Sequence, residues 1–192
     1  PYTVNFTDKT MDVDYNGALS NDEGRDAFYK YHTFTVNGAQ TETIELRRPF
    51  AQLNIGTNDL TASANAGYAV TQAKVTVPVY TNLDFATGQA TNKQVITFDY
   101  ANVPTSELFP VTGYEYLAMN YLLMNATKET VDVKFQYTDG TTAQAERTVG
   151  SVPVQRNHRT NLYGQLLTTN SKVNVEIKPE YIDDNKYGVE DG

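Results

Sequence analysis

Residues 44–57 read I-E-L-R-R-P-F-A-Q-L-N-I-G-T, and this stretch says more about the fold than any other part of the chain. Ile44 and Leu46 alternate with a charged residue, which is the two-residue period of a strand with one buried face. Pro49 then interrupts the pattern, because proline cannot donate a hydrogen bond to a strand ladder. Alternation resumes over residues 50–55 and stops at a glycine. The stretch therefore predicts two strands separated by a break.

The second of these strands has two different faces. Leu53 and Ile55 lie on one side, whereas Gln52 and Asn54 lie on the other. Side chains of a strand point alternately to opposite faces of its sheet, so one buried and one polar face are expected. The arginine pair before the proline is interpreted as a solvated strand end.

Most of the remaining chain also reads as short strands separated by turn signals. The strands are expected at residues 2–6, 33–36, 43–46, 68–80, 95–100, 114–124, 131–138, 142–149, 152–154, 159–167 and 173–177. Asn37-Gly38 and Asp139-Gly140 are hairpin turn signals. Residues 21–30 could form at most one short helix, with Asn21 as its cap. Helix is the competing interpretation of 114–124, which is apolar on both faces. The pattern predicts an all-β fold, a β-sandwich.

Composition excludes several classes of function. A chain of 192 residues can bury about 70% of its unfolded surface, so it needs no metal or disulfide to fold. It contains no cysteine, which excludes a disulfide scaffold, a cysteine-ligated zinc site and thiol catalysis. A net charge of −8 without a basic cluster disfavours binding to nucleic acid or to an anionic membrane. No run approaches the roughly 20 apolar residues of a membrane-spanning helix.

The residue types that could carry catalysis are few and poorly placed. His32 and His158 are the only histidines, and His158 lies between arginines in Q-R-N-H-R-T. Neighbouring positive charge suppresses a general base there. Adjacent carboxylates such as Asp183 and Asp184 are typical of solvated loops and tails, whereas a glycosidase needs two carboxyl groups facing each other across a cleft. We therefore predict no catalytic residues and no enzymatic activity.

One metal-binding pattern is present. Residues 12–23, D-V-D-Y-N-G-A-L-S-N-D-E, match the twelve-residue calcium-loop pattern at every constrained position. The expected ligands are oxygen atoms of Asp12, Asp14, Asn16, Ala18, Ser20 and Glu23. Residues 3–11 are β-like, so the entering helix of an EF-hand is missing, and an Asx-rich turn is the simpler alternative. The sequence thus predicts no required cofactor, and a structural Ca²⁺ that would order this loop.

Two long segments carry a resemblance to a known family. L-R-R-P-F-A-Q-L-N-I-G-T (Leu46–Thr57) and V-P-V-Q-R-N-H-R-T-N-L-Y-G-Q-L-L-T (Val152–Thr168) resemble the paired signature segments of fimbrillin-like proteins of Bacteroides-type bacteria. Asn21–Tyr29 and Tyr116–Phe135 are similar to the same family in order and spacing. The resemblance spans most of the chain.

What the resemblance implies is an exported, lipid-anchored precursor with β-sandwich domains of transthyretin-like, Greek-key topology. Such proteins are stalk, anchor or tip subunits of fimbriae (pili) at the bacterial cell surface and outer membrane, where they mediate adhesion. Their subunits join when a strand of one is added to an open sheet edge of another. The implied partners are other pilus subunits and a host or bacterial surface ligand, without nucleic acid and without a membrane span. The family defines no catalytic residues.

The family places several strands before the position of Pro1, and the chain begins there without a methionine or signal sequence, as a processed form or a fragment would. The expected organisation is a partial N-terminal sandwich (1–57), a linker (58–66), a complete C-terminal sandwich (67–179) and an acidic tail (180–192). A sheet that lacks its early strands should have an unpaired edge for another chain. The alternative function is that of a monomeric surface lipoprotein domain that binds a glycan or host ligand, with fourteen tyrosines available for stacking.

Overall fold

The computed structural model describes residues 1–168 and 173–178. Within them the chain forms ten strands, one α-helix and one 3-10 turn. The strands are β1 (Tyr2–Asn5), β2 (Thr10–Val13), β3 (Phe50–Thr57), β4 (Gln72–Asp84), β5 (Ala90–Asn102), β6 (Glu115–Leu123), β7 (Glu129–Thr138), β8 (Arg147–Val154), β9 (Arg159–Gly164) and β10 (Asn174–Lys178). Helix α1 is Leu60–Asn65, and the 3-10 turn is Glu23–Arg25. None of the helices described is long and apolar enough to cross a lipid bilayer.

The strands form two sheets. The first has the order β1-β2-β4-β7-β8, with β5 on the other side of β4, and the second has the order β10-β9-β3-β6. Strand β4 pairs with β5 along one side, and with β7 and then β2 along the other. Strands β3 and β9 are parallel, whereas the other pairs of the two sheets are antiparallel.

A single hydrophobic cluster lies between the sheets. Its fully buried members come from both layers: Leu53, Ile55, Val75, Val77, Val79, Phe98, Leu117, Leu122, Val133, Val152, Val154 and Leu162. Period-2 alternation places most of these side chains on the inner faces, whereas Leu117 lies at a register shift of β6 against β3. The all-β sandwich predicted from the sequence is confirmed.

Strand β3 is buried on both faces along its whole length. It lies between β6 and β9 in the middle of the second sheet. Leu53 and Ile55 are buried as expected, but Gln52 is only 7% exposed and Asn54 is fully buried. The Nδ2 of Asn54 donates to Oδ1 of Asn161 across the parallel pair, at 2.9 Å. The expected polar face is therefore an internal polar layer, because other parts of the chain cover it.

The predicted linker, residues 58–66, does not divide the strands into two separate sets of sheets. Strands β1 and β2 reach β4 in the first sheet, and β3 pairs with β6 and β9 in the second. Strands from both predicted domains thus contribute to the same two layers and to the same hydrophobic cluster. The predicted linker itself contains helix α1.

Asp59 anchors this connecting segment. The residue is 2% exposed, and its carboxylate accepts hydrogen bonds from the hydroxyl of Thr57 and from the backbone N–H groups of residues 166–168. On the same turn, Nη1 of Arg147 donates to the carbonyl of Leu166 at 2.6 Å. The turn after β9 is therefore held by side chains from two distant parts of the chain.

Three local predictions were wrong. Residues 33–36 and 43–46 form no paired strands, because neither of the two sheets formed by the described residues covers their apolar side chains. The expected helix at 21–30 is reduced to the three-residue 3-10 turn, and Gly24 sits in that turn. The predicted strands 142–149 and 152–154 are one strand, β8. The acidic tail, 180–192, lies outside the described residues.

Candidate functional site

The most distinctive functional feature is a strand edge that is closed at one end and open at the other. Residues 14–26, here called the bridging segment, run between strand β5 of the first sheet and strand β6 of the second. The N–H of Asp99 donates to the carbonyl of Ala18 at 2.8 Å, and the N–H of Ser20 donates to the carbonyl of Asp99 at 3.0 Å. The bridging segment thereby pairs with the end of β5.

The same segment also covers the edge of β6. The N–H of Asn21 donates to the carbonyl of Met119 at 2.8 Å, and Oδ1 of Asn21 accepts from the N–H of Met119 at 2.7 Å. Further along, the N–H of Leu123 donates to the Tyr15 hydroxyl at 3.0 Å. Asn21 has a φ of 60°, a left-handed conformation that asparagine tolerates better than most residues. These contacts remove β6 as a free edge.

The other half of β5 is not covered in this way. Over residues 91–97 both faces are exposed, apart from the half-buried Ile96, and Val95 is 69% exposed. The backbone groups of Asp99 point away from β4, towards the bridging segment. Because strand backbone groups alternate every two residues, those of Val95 and Thr97 point to the same outer side. Residues 91–97, here called the open edge, therefore present unpaired donors and acceptors to solvent.

A groove of about 420 Å³ lies beside the open edge. Residues 12–16 form one wall, and Thr81, Gln94 and Ile96 form the other. Among the described residues, no basic side chain forms an ion pair with Asp12 or Asp14. The groove is thus acidic and runs along a strand that can accept a further strand.

The structure places the first calcium-loop residues along this groove. Oδ1 of Asp12 accepts from Nδ2 of Asn82 on β4 at 2.7 Å. Oδ1 of Asp14 accepts from the N–H of Asn16 at 2.8 Å, which is an Asx turn. Asp12 belongs to strand β2, whereas the others belong to the loop that follows it.

The later calcium-loop residues are directed to other strands. The Ala18 carbonyl binds the N–H of Asp99 on β5. The Ser20 hydroxyl, which is buried, donates to a β5 carbonyl at 3.3 Å. Oε2 of Glu23 accepts from the Tyr121 hydroxyl on β6 at 2.8 Å. A Ca²⁺ ion that used all six residues would have to replace these hydrogen bonds, and the calcium site stays a prediction.

The two histidines lie on different parts of the molecule. The His32 ring stacks on Phe34 with centroids 5.8 Å apart, and its Nε2 lies 3.5 Å from Oε2 of Glu42. Nδ1 of His158 lies 2.8 Å from the carbonyl oxygen of Arg156. Across residues 1–168 and 173–178, no three His, Asp or Glu side chains are grouped so that they could share a metal ion.

A second surface feature is a cluster of aromatic rings on the second sheet. Phe109 packs edge-on against Tyr116 with centroids 5.0 Å apart, and Tyr114 packs against Tyr163 at 4.8 Å. Burial raises the pKa of Tyr116 to about 12, although nearby Arg159 lowers it. Tyr114 and Tyr163 are half-buried, so their rings are partly accessible from solvent.

The sequence missed the open edge because residues 90–102, A-T-N-K-Q-V-I-T-F-D-Y-A-N, are mostly polar in their first half. Only residues 95–100 were expected to form a strand. The polar first half is itself typical of an edge strand, where lysine and asparagine are common. Pro78, which pairs with Val95, was a further signal that this part of the sheet is near an edge.

The chain is similar to several solved structures of Bacteroides proteins. A “putative cell adhesion protein” from Bacteroides uniformis is 14% identical, with a TM-score of 0.42 and coverage of 70% of this chain and 52% of that one. A protein of the same description from Bacteroides ovatus is 16% identical, with a TM-score of 0.37 and coverage of 70% and 46%. A fimbrial protein from Bacteroides vulgatus is 11% identical, with a TM-score of 0.28 and coverage of 69% and 54%.

The chain spans about half the length of these proteins. No curated protein matches the chain. Residues 2–191 match a family of unknown function, DUF6562, and the chain belongs to that family.

Proposed function

We propose that the chain is a non-catalytic subunit of a bacterial cell-surface fimbria, where it takes part in adhesion and joins its neighbours by strand addition. The observation that carries this proposal is the open edge of β5 beside a groove. An extended segment of another subunit could pair with the backbone of residues 91–97 and place alternate side chains in the groove. The resemblance of the signature segments to fimbrillin-like proteins supports the same function and an exported, outer-membrane location with a lipid-anchored precursor.

On the side of the molecule that holds the edges of β5 and β6, the rest of the structure is consistent with a single docking edge. The edge of β6 is covered by the bridging segment, whereas the neighbouring edge of β5 is left uncovered over seven residues. Exposed strand edges are normally shielded because they promote association with other chains. An edge of this length beside a groove is therefore best explained as a site for a partner strand.

A single substitution that removes one backbone N–H group should prevent another strand from pairing with the open edge. Val95→Pro removes an N–H that points away from β4, so the β4–β5 ladder is retained while an incoming strand loses a donor. Val95→Thr is the matched control, because it keeps the N–H and nearly the same shape. We expect surface filaments to incorporate the wild-type and Val95→Thr chains but not the Val95→Pro chain, as seen by negative-stain imaging with labelled protein.

Filaments that incorporate the Val95→Pro chain as well as the wild type would overturn strand addition at β5. A wild-type chain that enters no filament and stays monomeric at high concentration would overturn the fimbrial function itself.

The aromatic cluster supports a second candidate function, a monomeric surface domain that binds a glycan. Alternation along β9 places Arg159, Asn161 and Tyr163 on one face, and the accessible rings of Tyr114 and Tyr163 could stack on a sugar. Binding of the monomer on a glycan array, lost in Tyr163→Ala, together with an absence of filaments, would favour this function over the first.

A further inference from the structure

The groove lies on one face of the open edge, and this position restricts the side chains of any strand that pairs there. Gln94 and Ile96 are opposite Val79 and Val77, which are buried in the core, so both lie on the inner face of the first sheet. Val95 lies on the outer face, because successive side chains of a strand alternate. A strand added beside β5 would therefore point every second side chain into the groove and the others towards solvent.

The groove has an apolar part and an acidic part. Val13 and Tyr15, which are buried, line it together with the half-buried Ile96. Asp12 and Asp14 also line it, and both are exposed. The inward side chains of an added strand would thus meet apolar surface and two carboxylates.

The charges of these carboxylates are not neutralised by a cation. Oδ1 of Asp12 accepts from a neutral side-chain amide on β4, and Oδ1 of Asp14 accepts from a neutral backbone N–H. Nη1 of Arg25 binds the backbone carbonyl of Asp14 at 3.1 Å, but the Arg25 guanidinium forms its ion pair with Asp22. Within residues 1–168 and 173–178, neither Asp12 nor Asp14 has an ion-pair partner.

The edge also sets the length of the incoming strand. Backbone groups of residues 91, 93, 95 and 97 point outwards, because those of the even-numbered residues are turned towards β4. The outward groups of Asp99 are already bound to the bridging segment. A strand of about seven residues therefore fills the edge, and the side chains opposite positions 92, 94 and 96 can enter the groove.

We propose that the open edge receives a basic extended segment of another subunit, with an apolar side chain against Ile96 and a lysine or arginine beside Asp12 and Asp14. This inference rests on strand addition at β5, as proposed above, and names the chemistry of the incoming strand. In such pairing the main chain provides affinity, whereas the sites for alternate side chains provide specificity. Opposite charges also steer association and fix register.

Short peptides test the inference directly. The probes are the peptide T-V-T-I-T-K-T and, for the opposite strand direction, T-K-T-V-T-I-T, each compared with its counterpart that has glutamine in place of lysine. Binding to the whole chain is measured by calorimetry with a chelator present, so that no divalent cation occupies the carboxylates. We expect one lysine peptide to bind roughly fivefold more tightly than its glutamine counterpart, and salt to reduce this preference.

The preference should depend on the two groove carboxylates. Asp12→Asn/Asp14→Asn should abolish it, since asparagine keeps an oxygen acceptor in each local hydrogen bond but carries no charge. Asp139→Asn is the control, because Oδ1 of Asp139 also accepts backbone N–H groups in an exposed turn, and it should leave the preference unchanged. Equal binding of the lysine and glutamine peptides to the wild-type chain would overturn a basic donor.

The substitutions at Val95 separate this inference from strand addition itself. If Val95→Pro abolishes the binding of lysine and glutamine peptides that the wild type and Val95→Thr bind equally well, strand addition stands and the basic donor does not. If the peptides bind Val95→Pro as tightly as Val95→Thr, strand addition at β5 is overturned as well. If no peptide binds the wild-type chain, both proposals for this edge fail.

Discussion

At the scale of single residues, two positions connect distant parts of the chain. Asp59 holds the turn at residues 166–168, more than a hundred positions away in sequence. Gly56 lies at a register shift between β3 and β6, directly under the ring of Phe109. Both roles depend on neighbours that the local sequence does not reveal.

The carboxylate of Asp59 should make stability depend on pH. Burial alone would raise its pKa, but hydrogen bonds from Thr57, Thr168 and Leu167 outweigh burial and lower the pKa below its ordinary value. A lowered folded-state pKa means that the carboxylate stabilises the fold above the unfolded-state pKa of about 4. That stabilisation is lost as the pH falls through the folded-state pKa.

We expect Asp59→Asn to lower the free energy of unfolding at pH 7 by about 2–4 kcal/mol, because several donors lose a charged acceptor. The difference from wild type should shrink towards pH 3, as measured by urea denaturation at both pH values. Asp139→Asn, in an exposed turn where Oδ1 accepts two backbone N–H groups, is the control and should cost less. If Asp59→Asn lowered the free energy of unfolding equally at both pH values, the charge of the Asp59 carboxylate would not be the source of its stabilising effect.

Gly56→Ala should destabilise the second sheet. A Cβ at this position would lie 2.5 Å from Cε2 of Phe109, so the ring must move at a cost of about 1–3 kcal/mol. The decrease in the free energy of unfolding should be smaller when Gly56→Ala is introduced into a Phe109→Leu background, because the leucine side chain is smaller than the phenylalanine ring and leaves room. Equal losses in both backgrounds, measured by thermal unfolding, would show that the ring is not the cause.

At the scale of elements, the bridging segment decides which strand edges are open. It closes β6 through Asn21 and the C-terminal end of β5 through Ala18 and Ser20, and it leaves residues 91–97 uncovered. Residues 12–23, which overlap this segment, match the calcium-loop pattern, but their side chains and carbonyls contact β4, β5 and β6 separately. Its established role in the structure is to close one side of the sandwich.

Asn21→Gly isolates the contribution of the Asn21 side chain, since glycine accepts the same left-handed backbone. The N–H of Met119 and the carbonyl of Asn102, which Nδ2 of Asn21 reaches at 2.8 Å, lose their partners. We expect the free energy of unfolding to fall by about 1–2 kcal/mol and the Met119 amide to exchange its hydrogen faster. The Val77 amide in β4 should be unaffected by local opening, and faster exchange at both amides would indicate a global loss instead.

The calcium prediction is tested at residues 12–23. If Asp12, Asp14, Asn16, Ala18, Ser20 and Glu23 bind Ca²⁺, the ion should raise the melting temperature by mass action, and Asp14→Asn should reduce that rise. A melting temperature that is unchanged between chelator and millimolar Ca²⁺ would contradict the prediction.

Strands in the core could be located from sequence better than those at the surface. Val75, Val77 and Val79 alternate cleanly, and they form the inner face of β4. The same alternation in residues 28–48 gave a wrong prediction of a paired hairpin at 33–36 and 43–46. Period-2 alternation reports that a segment can be a strand with one buried face, but it does not report whether a sheet is available to cover that face.

At the scale of the whole molecule, each copy of the chain carries a net charge of −8, and Asp12 and Asp14 line the groove beside the open edge. Two copies therefore repel each other, and salt screens this repulsion, because the screening length falls from about 10 Å at 0.1 M to about 3 Å at 1 M salt. We expect the association constant from sedimentation to rise with increasing NaCl, and Asp12→Asn/Asp14→Asn to reduce that rise. Weaker association at high salt would indicate a contact between opposite charges instead.

The sequence by itself determined the all-β class, the core strands, the absence of cysteine chemistry and the fimbrillin-like resemblance, because alternation and composition are local properties. Only the tertiary structure decided that β3 is buried on both faces, that strands before and after residues 58–66 share the same sheets, and which edge is left open. Those outcomes depend on which segments meet across a hundred residues or more. Neither the period of a strand nor its turn residues encodes its neighbours, and the packing of the two sheets selects them.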